Sequence, residues 1–403
     1  MTGENSAGRP RLAYVPELDG VRGIAIAAVM TLHFVGGITP TNTLERGAAK
    51  LSSYGLWGVD LFFVLSGFLI TGILLETKGL PGYLRNFYVR RVLRIFPLYY
   101  GVLLILFVLI PASLLTSLDP QLTEMRQVQG WLWPYLSNVY LASKESFSIP
   151  YLSHFWSLAI EEHFYLAWPF LILLLARTMA MRVCIGVSLF ALALRIGFSI
   201  TTPNLLYADV LTPCRLDALC IGGWFALSAH GRDALAPERA MRWLRTAAGA
   251  VLTLSLWHLA LHRADAFVLP LRTTLLAVCF GLFIYVGSRH PGLTLVRSVL
   301  RGRWLTILGK YSYGLYVYHG IVSYAMHRHS PEAWLLGVVG VHSIAVALQI
   351  AFGVTISMLL AVVSYELFEA RFLALKKRFE YRDRSAVRLD SSPLPLLTGE
   401  VSR

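Results

Sequence analysis

The sequence predicts an all-α, polytopic integral membrane protein of about ten transmembrane helices, with both termini cytoplasmic. Three observations carry that prediction. First, 56% of the 403 residues are hydrophobic and only 15% are charged, with a mean hydropathy of +0.59, whereas a soluble domain is about 25% charged. Second, apolar runs near or above bilayer-crossing length recur at about 20–38, 57–76, 95–117, 153–176, 183–201, 213–230, 246–262, 267–288, 309–327 and 336–368. Third, basic residues alternate between loops. With a cytoplasmic N-terminus, the inside segments hold Lys78, Arg85, Arg90, Arg91 and Arg94; Arg177 and Arg182; Arg232, Arg239, Arg242 and Arg245; Arg289, Arg297, Arg301 and Arg303; and Arg371, Lys376, Lys377 and Arg378. The outside loops hold only Arg46, Lys50, Arg126, Lys144, Arg263 and Arg328, the bias of the positive-inside rule.

Taken in order, the chain is polar to Asp19, and Arg9 and Arg11 precede the first apolar run, which reads as an uncleaved span. Residues 1–13 read as a disordered tail, 14–372 as one membrane domain without internal repeats, and 373–403 as a basic, disordered cytoplasmic tail. The longest outside loop, about 118–152, contains GWLWPYLSNVY, whose Trp and Tyr suit an interfacial segment at headgroup level. The net charge of +13 does not indicate nucleic acid, because the basic residues sit between apolar runs without interleaved aromatics. Cys184, Cys214, Cys220 and Cys279 match neither zinc spacing nor a disulfide framework and read as buried thiols.

The first span, LDGVRGIAIAAVMTLHF, carries Asp19, Arg22 and His33. Eleven residues of helix turn through about 1100° and rise about 16 Å, so Arg22 and His33 share a face three turns apart. Other ionisable groups within spans are Asp60, Glu161, Glu162, Arg195, Asp217, His319 and Glu366. Such groups mark functional sites by default, and their number predicts a polar interior cavity.

Asp60, in GVDLFFVLSGFLIT, suits either a first-turn acid or a carboxylate orienting a neighbour, and Gly58 and Gly67 permit close helix approach. In RNFYVRRVLRIFPLYY, Arg90, Arg91 and Arg94 share a helical flank. They suit a cytoplasmic anchor or, as guanidinium forks, phosphate binding. Glu161 and Glu162, in FWSLAIEEHFYL, cannot both stay charged in an apolar setting, so they must face water or pair with His and Arg from other spans. His154 lies one heptad before Glu161 and Tyr165 one turn after it. CRLDALCIGG combines Arg215 and Asp217 with a glycine pair, a pattern for close packing and an ion site. Near the end, Ser312, Tyr316 and His319 form one stripe at i, i+4 and i+7.

In this order, Arg22–x10–His33, GVDLFFVLSGFLIT, the Arg91–Arg94 pair ahead of IFPLYY, FWSLAIEEHFYL, CRLDALCIGG and YSYGLYVYHG resemble the membrane acyltransferase-3 family (OafA/NodX-like O-acyltransferases) over residues 14–370. The resemblance implies a bacterial inner-membrane enzyme that moves an acyl group, usually acetyl, from cytoplasmic acyl-CoA to a hydroxyl of a glycan or macrolide-type acceptor. It implies no metal and no nucleic-acid partner, with the lipid bilayer as the surrounding medium. By motif it implies His33 as the base, Arg22, Arg91 and Arg94 on the CoA phosphates, and Glu161 and Glu162 in the polar core; Asp60, Tyr316 and His319 are further candidate catalytic residues. His163 stands where Gln is common in the family. Many relatives append an SGNH hydrolase-like domain, and a stand-alone acyltransferase is expected here. A proton-coupled transporter or flippase is the alternative that intramembrane Glu, His and Arg would also suit; the lack of an inverted repeat counts against it.

Overall fold

The structure, a computed structural model, describes residues 15–381 except 203, 205, 232–233, 262–265, 290–293 and 330. Arg9, Arg11, Arg232, Arg263, the expected N-terminal tail and the tail beyond Tyr381 lie outside the described residues. Within the described residues there is no strand, and ten helices have 18 residues or more. These are α1 Pro16–Val35, α2 Trp57–Thr77, α3 Tyr83–Leu104, α4 Trp156–Leu174, α5 Arg177–Thr201, α6 Thr212–Ala229, α7 Pro237–Leu261, α8 Val268–Arg289, α9 Ser312–His329 and α10 His342–Ser364. Each overlaps one of the apolar runs read from the sequence.

Seven helical stretches are long and apolar enough to cross a membrane by length and composition. Helices α6, α7 and α9 are not in that set. Each departs from it for a visible reason: α6 carries Arg215 and Asp217, α7 opens with Glu238, Arg239, Arg242 and Arg245, and α9 carries serine, tyrosine and histidine. In α6 and α9 these groups are buried inside the bundle, whereas in α7 they are exposed along its first turns.

Glycines set the closest helix contacts. Gly67 of α2 lies against the Leu219 carbonyl of α6, and Gly222 of α6 lies reciprocally against the Val64 carbonyl; a Cβ at either would overlap that backbone. Gly20 and Gly23 of α1 lie in the same way against the Leu300 and Leu305 carbonyls, bringing the short helix Arg303–Lys310 across the start of α1. Small residues let backbones meet where van der Waals packing must hold helices together in lipid.

Two stretches add to the expectation. The loop at 118–152 is folded into the bundle as well as facing its surface. Leu132 is buried, the Tyr99 hydroxyl donates to the Leu132 carbonyl (2.7 Å) and the Tyr100 hydroxyl to the Trp133 carbonyl (3.0 Å), and Tyr135 stacks on Tyr99 at 4.1 Å. The α3 tyrosines satisfy loop carbonyls that water would otherwise have to solvate. Toward the C-terminus, the chain remains helical through Ala370–Leu375 and Lys376–Phe379 rather than becoming irregular at 373.

Candidate active site

Helices α1, α2, α3, α4 and α9 enclose a cavity of about 210 Å³. Arg22, Arg91 and Arg94 line it together with Glu161, Glu162, Ser66, Ser157 and Tyr316. Arg22 is one turn from Asp19 and forms an ion pair with it. The Arg91 guanidinium lies 5.9 Å from the Phe87 ring centre and 5.8 Å from that of Tyr165, a distance suited to cation–π attraction. Its Nε is buried without a hydrogen-bond partner, as is Oε1 of Glu162. Beside Glu161, the Ser66 and Tyr165 hydroxyls share a hydrogen bond with each other. Sequence spacing thus becomes one chamber holding three guanidinium groups and two adjacent carboxylates.

Beyond Tyr316 lies a cluster of imidazoles. The Tyr316 hydroxyl donates to the His154 carbonyl (3.0 Å) and shares a hydrogen bond with the Ser157 hydroxyl. Nδ1 of His33 meets the Val29 carbonyl at 3.0 Å, and Nδ1 of His319 meets the Leu315 carbonyl at 3.0 Å. A carbonyl only accepts, so each Nδ1 carries the proton in those contacts. In the neutral ring the lone pair then sits on Nε2. The His33 and His319 rings face edge to face at 4.8 Å between centroids, and His154 lies 5.2 Å from His319. Nε2 of His319 is buried without a partner. Gly320 makes the space for His154, since a Cβ there would overlap its ring. Helical side chains lean toward the N-terminus of their helix, so the His33 ring leans back toward the arginine-lined end. Two imidazoles therefore present basic nitrogens side by side, held by main-chain carbonyls.

Asp60 is not brought into this cavity. It is buried in an ion pair with Arg215 between α2 and α6. Nearby, Arg195 grips Asp217 with both terminal nitrogens (3.0 and 2.5 Å), and also donates to the Cys214 carbonyl at 2.7 Å and the Thr274 hydroxyl at 2.5 Å. Glu366 is half-exposed and bound by Lys310 and Tyr311, each at 2.9 Å. His163 turns from the cavity to the Thr212 hydroxyl, 2.7 Å away. Ser66 and Ser157 escaped the sequence reading, because a serine in an apolar helix carries no signal until its partner is known. Glu17 escaped it too: buried, it accepts from Arg297 (2.8 Å) and Arg301 (2.9 Å) and pins the start of α1. Among the described residues no group of three or more His, Cys, Asp and Glu has a metal-site arrangement.

These features define a polytopic helical membrane protein with a charged interior chamber and a nearby cluster of imidazole bases. The chain belongs to the acyltransferase domain family (Acyl_transf_3), which matches residues 15–366. It is 28% identical over 377 residues to a protein of Staphylococcus aureus (strain COL) provisionally named an O-acetyltransferase, covering 90% of this chain and 58% of that protein. It is 29% identical over 331 residues to the peptidoglycan O-acetyltransferase OatA of Listeria monocytogenes serovar 1/2a (strain ATCC BAA-679 / EGD-e), covering 76% of this chain and 49% of OatA. The chain thus spans about half the length of the curated relatives it matches. No solved structure matches it significantly.

Proposed function

We propose that this protein is a multi-pass inner-membrane O-acetyltransferase that carries acetyl from cytoplasmic acetyl-CoA to a hydroxyl of a peptidoglycan-type glycan. The supporting observation is the polarity of the chamber: three arginines at one end and, beyond Tyr316, imidazoles with free basic nitrogens. In this reading all ten long helices span the bilayer, with both termini cytoplasmic and the arginine end opening toward the cytoplasm.

Arg22, Arg91 and Arg94 bind the donor phosphates, for which guanidinium forks are suited. The pantetheine arm runs along the chamber toward Tyr316. Nε2 of His33 removes the proton from the acceptor hydroxyl, and the oxygen attacks the thioester carbonyl. Ser157, turning its hydroxyl from Tyr316, or Tyr316, turning from the His154 carbonyl, donates a hydrogen bond to the developing oxyanion. As the intermediate collapses the C–S bond breaks, the acyl–oxygen bond is retained, and the thiolate takes the proton from His33. His319 lies beside His33 as a second base that shares the charge of the imidazolium. The acceptor class follows the printed name of the Listeria relative.

The test uses membranes bearing the full chain, radiolabelled acetyl-CoA and peptidoglycan fragments. His33→Ala should lower label transfer by about 10²–10⁴-fold, the usual contribution of a positioned general base. Undiminished transfer in that variant would remove His33 from the mechanism. Labelling of another glycan but not of peptidoglycan would change the acceptor.

A further inference from the structure

The family match ends at residue 366, yet the helical chain beyond it returns to the arginine-bearing helix. Arg90 donates from its guanidinium to the Lys376 carbonyl at 3.2 Å. The Asn86 amide donates to the Glu380 carbonyl at 3.4 Å, and the Arg85 guanidinium lies 5.7 Å from the Phe379 ring centre. Two successive turns of α3 thus hold the segment from Lys376 to Glu380. Lys376 is half-buried there and within electrostatic reach of Arg22, Arg90, Arg91 and Arg94, whereas Lys377 and Arg378 are exposed. Hydrogen bonds to carbonyls hold the segment against mutual repulsion of the five cations, and among the described residues no ion pair joins Lys376 to a carboxylate. Two exposed cations fit an ordinary membrane-surface anchor. A half-buried lysine within reach of four guanidinium groups suits an anion of several charges, which would hold its ammonium form in place.

We infer that the segment Lys376–Tyr381 forms a basic lip on the arginine end of the chamber, in which Lys376 and Arg90 bind the phosphate groups of a nucleotide-bearing donor. The inference rests on the acetyl-CoA reading above and adds two cations, Arg90 and, from outside the family-matched region, Lys376. Arg91 and Arg94 line the chamber, while Arg90, next to Arg91 on the same helix, holds the Lys376 main chain outside that lining. A ligand with phosphates at two places along its length suits that arrangement. Phosphate could also come from a lipid headgroup; the lip is assigned to the donor because it converges on the chamber.

The experiment measures calorimetric binding to the purified full chain in phosphatidylcholine nanodiscs. The probes are CoA, adenosine bisphosphate and phosphate-free pantetheine. Lys376→Gln should weaken CoA about tenfold, as loss of one charge-assisted hydrogen bond does, and weaken adenosine bisphosphate by a similar factor. Lys376→Arg should restore most of the loss, and pantetheine binding should be the same in all variants. CoA binding that falls with Arg91→Gln but is unmoved by Lys376→Gln and Arg90→Gln would overturn the lip while leaving the donor reading intact. Absence of CoA binding to the wild type would overturn both. A Lys376→Gln effect seen only on association with anionic-lipid vesicles would assign the lip to the membrane instead. Matched circular dichroism of the variants separates each result from misfolding.

Discussion

Two sets of buried charges lie in the same helical bundle and are treated oppositely. Between α2, α5, α6 and α8, Asp60 is paired with Arg215, and Asp217 is gripped by Arg195, which also satisfies two neighbouring oxygens. In the chamber, Arg91 leaves Nε, Glu162 leaves Oε1 and, just beyond, His319 leaves Nε2 without a partner. An arginine Nε is unpartnered on both sides, Arg91 in the chamber and Arg195 and Arg215 outside it, so the difference lies in the acids: Asp60 and Asp217 are ion-paired, whereas Glu162 keeps an oxygen open. A carboxylate already held in an ion pair has little left to offer a substrate, so it contributes to the packing of four helices. Open groups carry a desolvation penalty that only a ligand or water relieves, which is why the open set supports the reading of an active site.

The comparison predicts a separation of activity from stability. His33→Asn should lower acetyl transfer by about 10²–10⁴-fold while leaving the thermal midpoint in detergent near that of the wild type. Breaking the closed set should do the reverse. Asp60→Ala strands Arg215 and should destabilise by about 3–5 kcal/mol, the typical result of removing one partner from a buried pair. Specific activity per folded molecule should hardly change. The double variant Asp60→Leu/Arg215→Met should recover much of the midpoint. If Asp60→Ala instead abolished transfer at full stability, the two sets would not differ as argued.

A smaller effect sharpens the same contrast within the chamber. Glu162→Gln keeps the side-chain volume and removes a charge with one oxygen unsatisfied. Stability should hold or rise, by up to about 1–3 kcal/mol of recovered desolvation. Donor affinity should rise, because Arg91 and Arg94 lose a competing negative charge. Scanning fluorimetry and CoA titration on one preparation read both quantities; a fall in each would show that Glu162 has a structural partner.

Much of this was legible in the sequence. Apolar runs located every long helix, because a bundle in lipid needs long apolar surfaces, and Gly67 already signalled close contact with another helix. That Glu161 and Glu162 must meet water or partners from other spans was also readable, whereas Arg91 and Arg94, lying ahead of the third apolar run, suited a cytoplasmic anchor as well as a phosphate site. What escaped was partner choice. Asp60 and Arg215 are 155 residues apart, and nothing local to either shows that they close on each other rather than on the cavity. The same limit hid Ser157 beside Tyr316, Glu17 beneath Arg297 and Lys376 above Arg90. The packing of the loop at 118–152 on the bundle was not legible, because its aromatics suit a headgroup interface and a buried seam equally well, and the contacts with Tyr99 and Tyr100 are made only in the fold.

The mildest prediction concerns a closed carboxylate at the edge of the bundle. Asp119 caps the helix Pro120–Gln127 through the Gln121 amide at 3.0 Å, accepts from the Tyr151 hydroxyl at 2.6 Å, and lies 3.5 Å from the Arg328 guanidinium. Burial pushes its pKa up, but the bonds from Tyr151 and Gln121, with Arg328 nearby, outweigh that and hold it below the ordinary value of 3.8. A carboxyl with a depressed folded-state pKa adds stability that is fully present above its unfolded value and lost as pH falls through the folded one. The wild-type midpoint should therefore decline more steeply than that of Asp119→Asn below about pH 4, while at neutral pH the variant should melt lower. Parallel acid limbs in the two proteins would remove Asp119 from the closed set and leave the Tyr151 contact as packing alone.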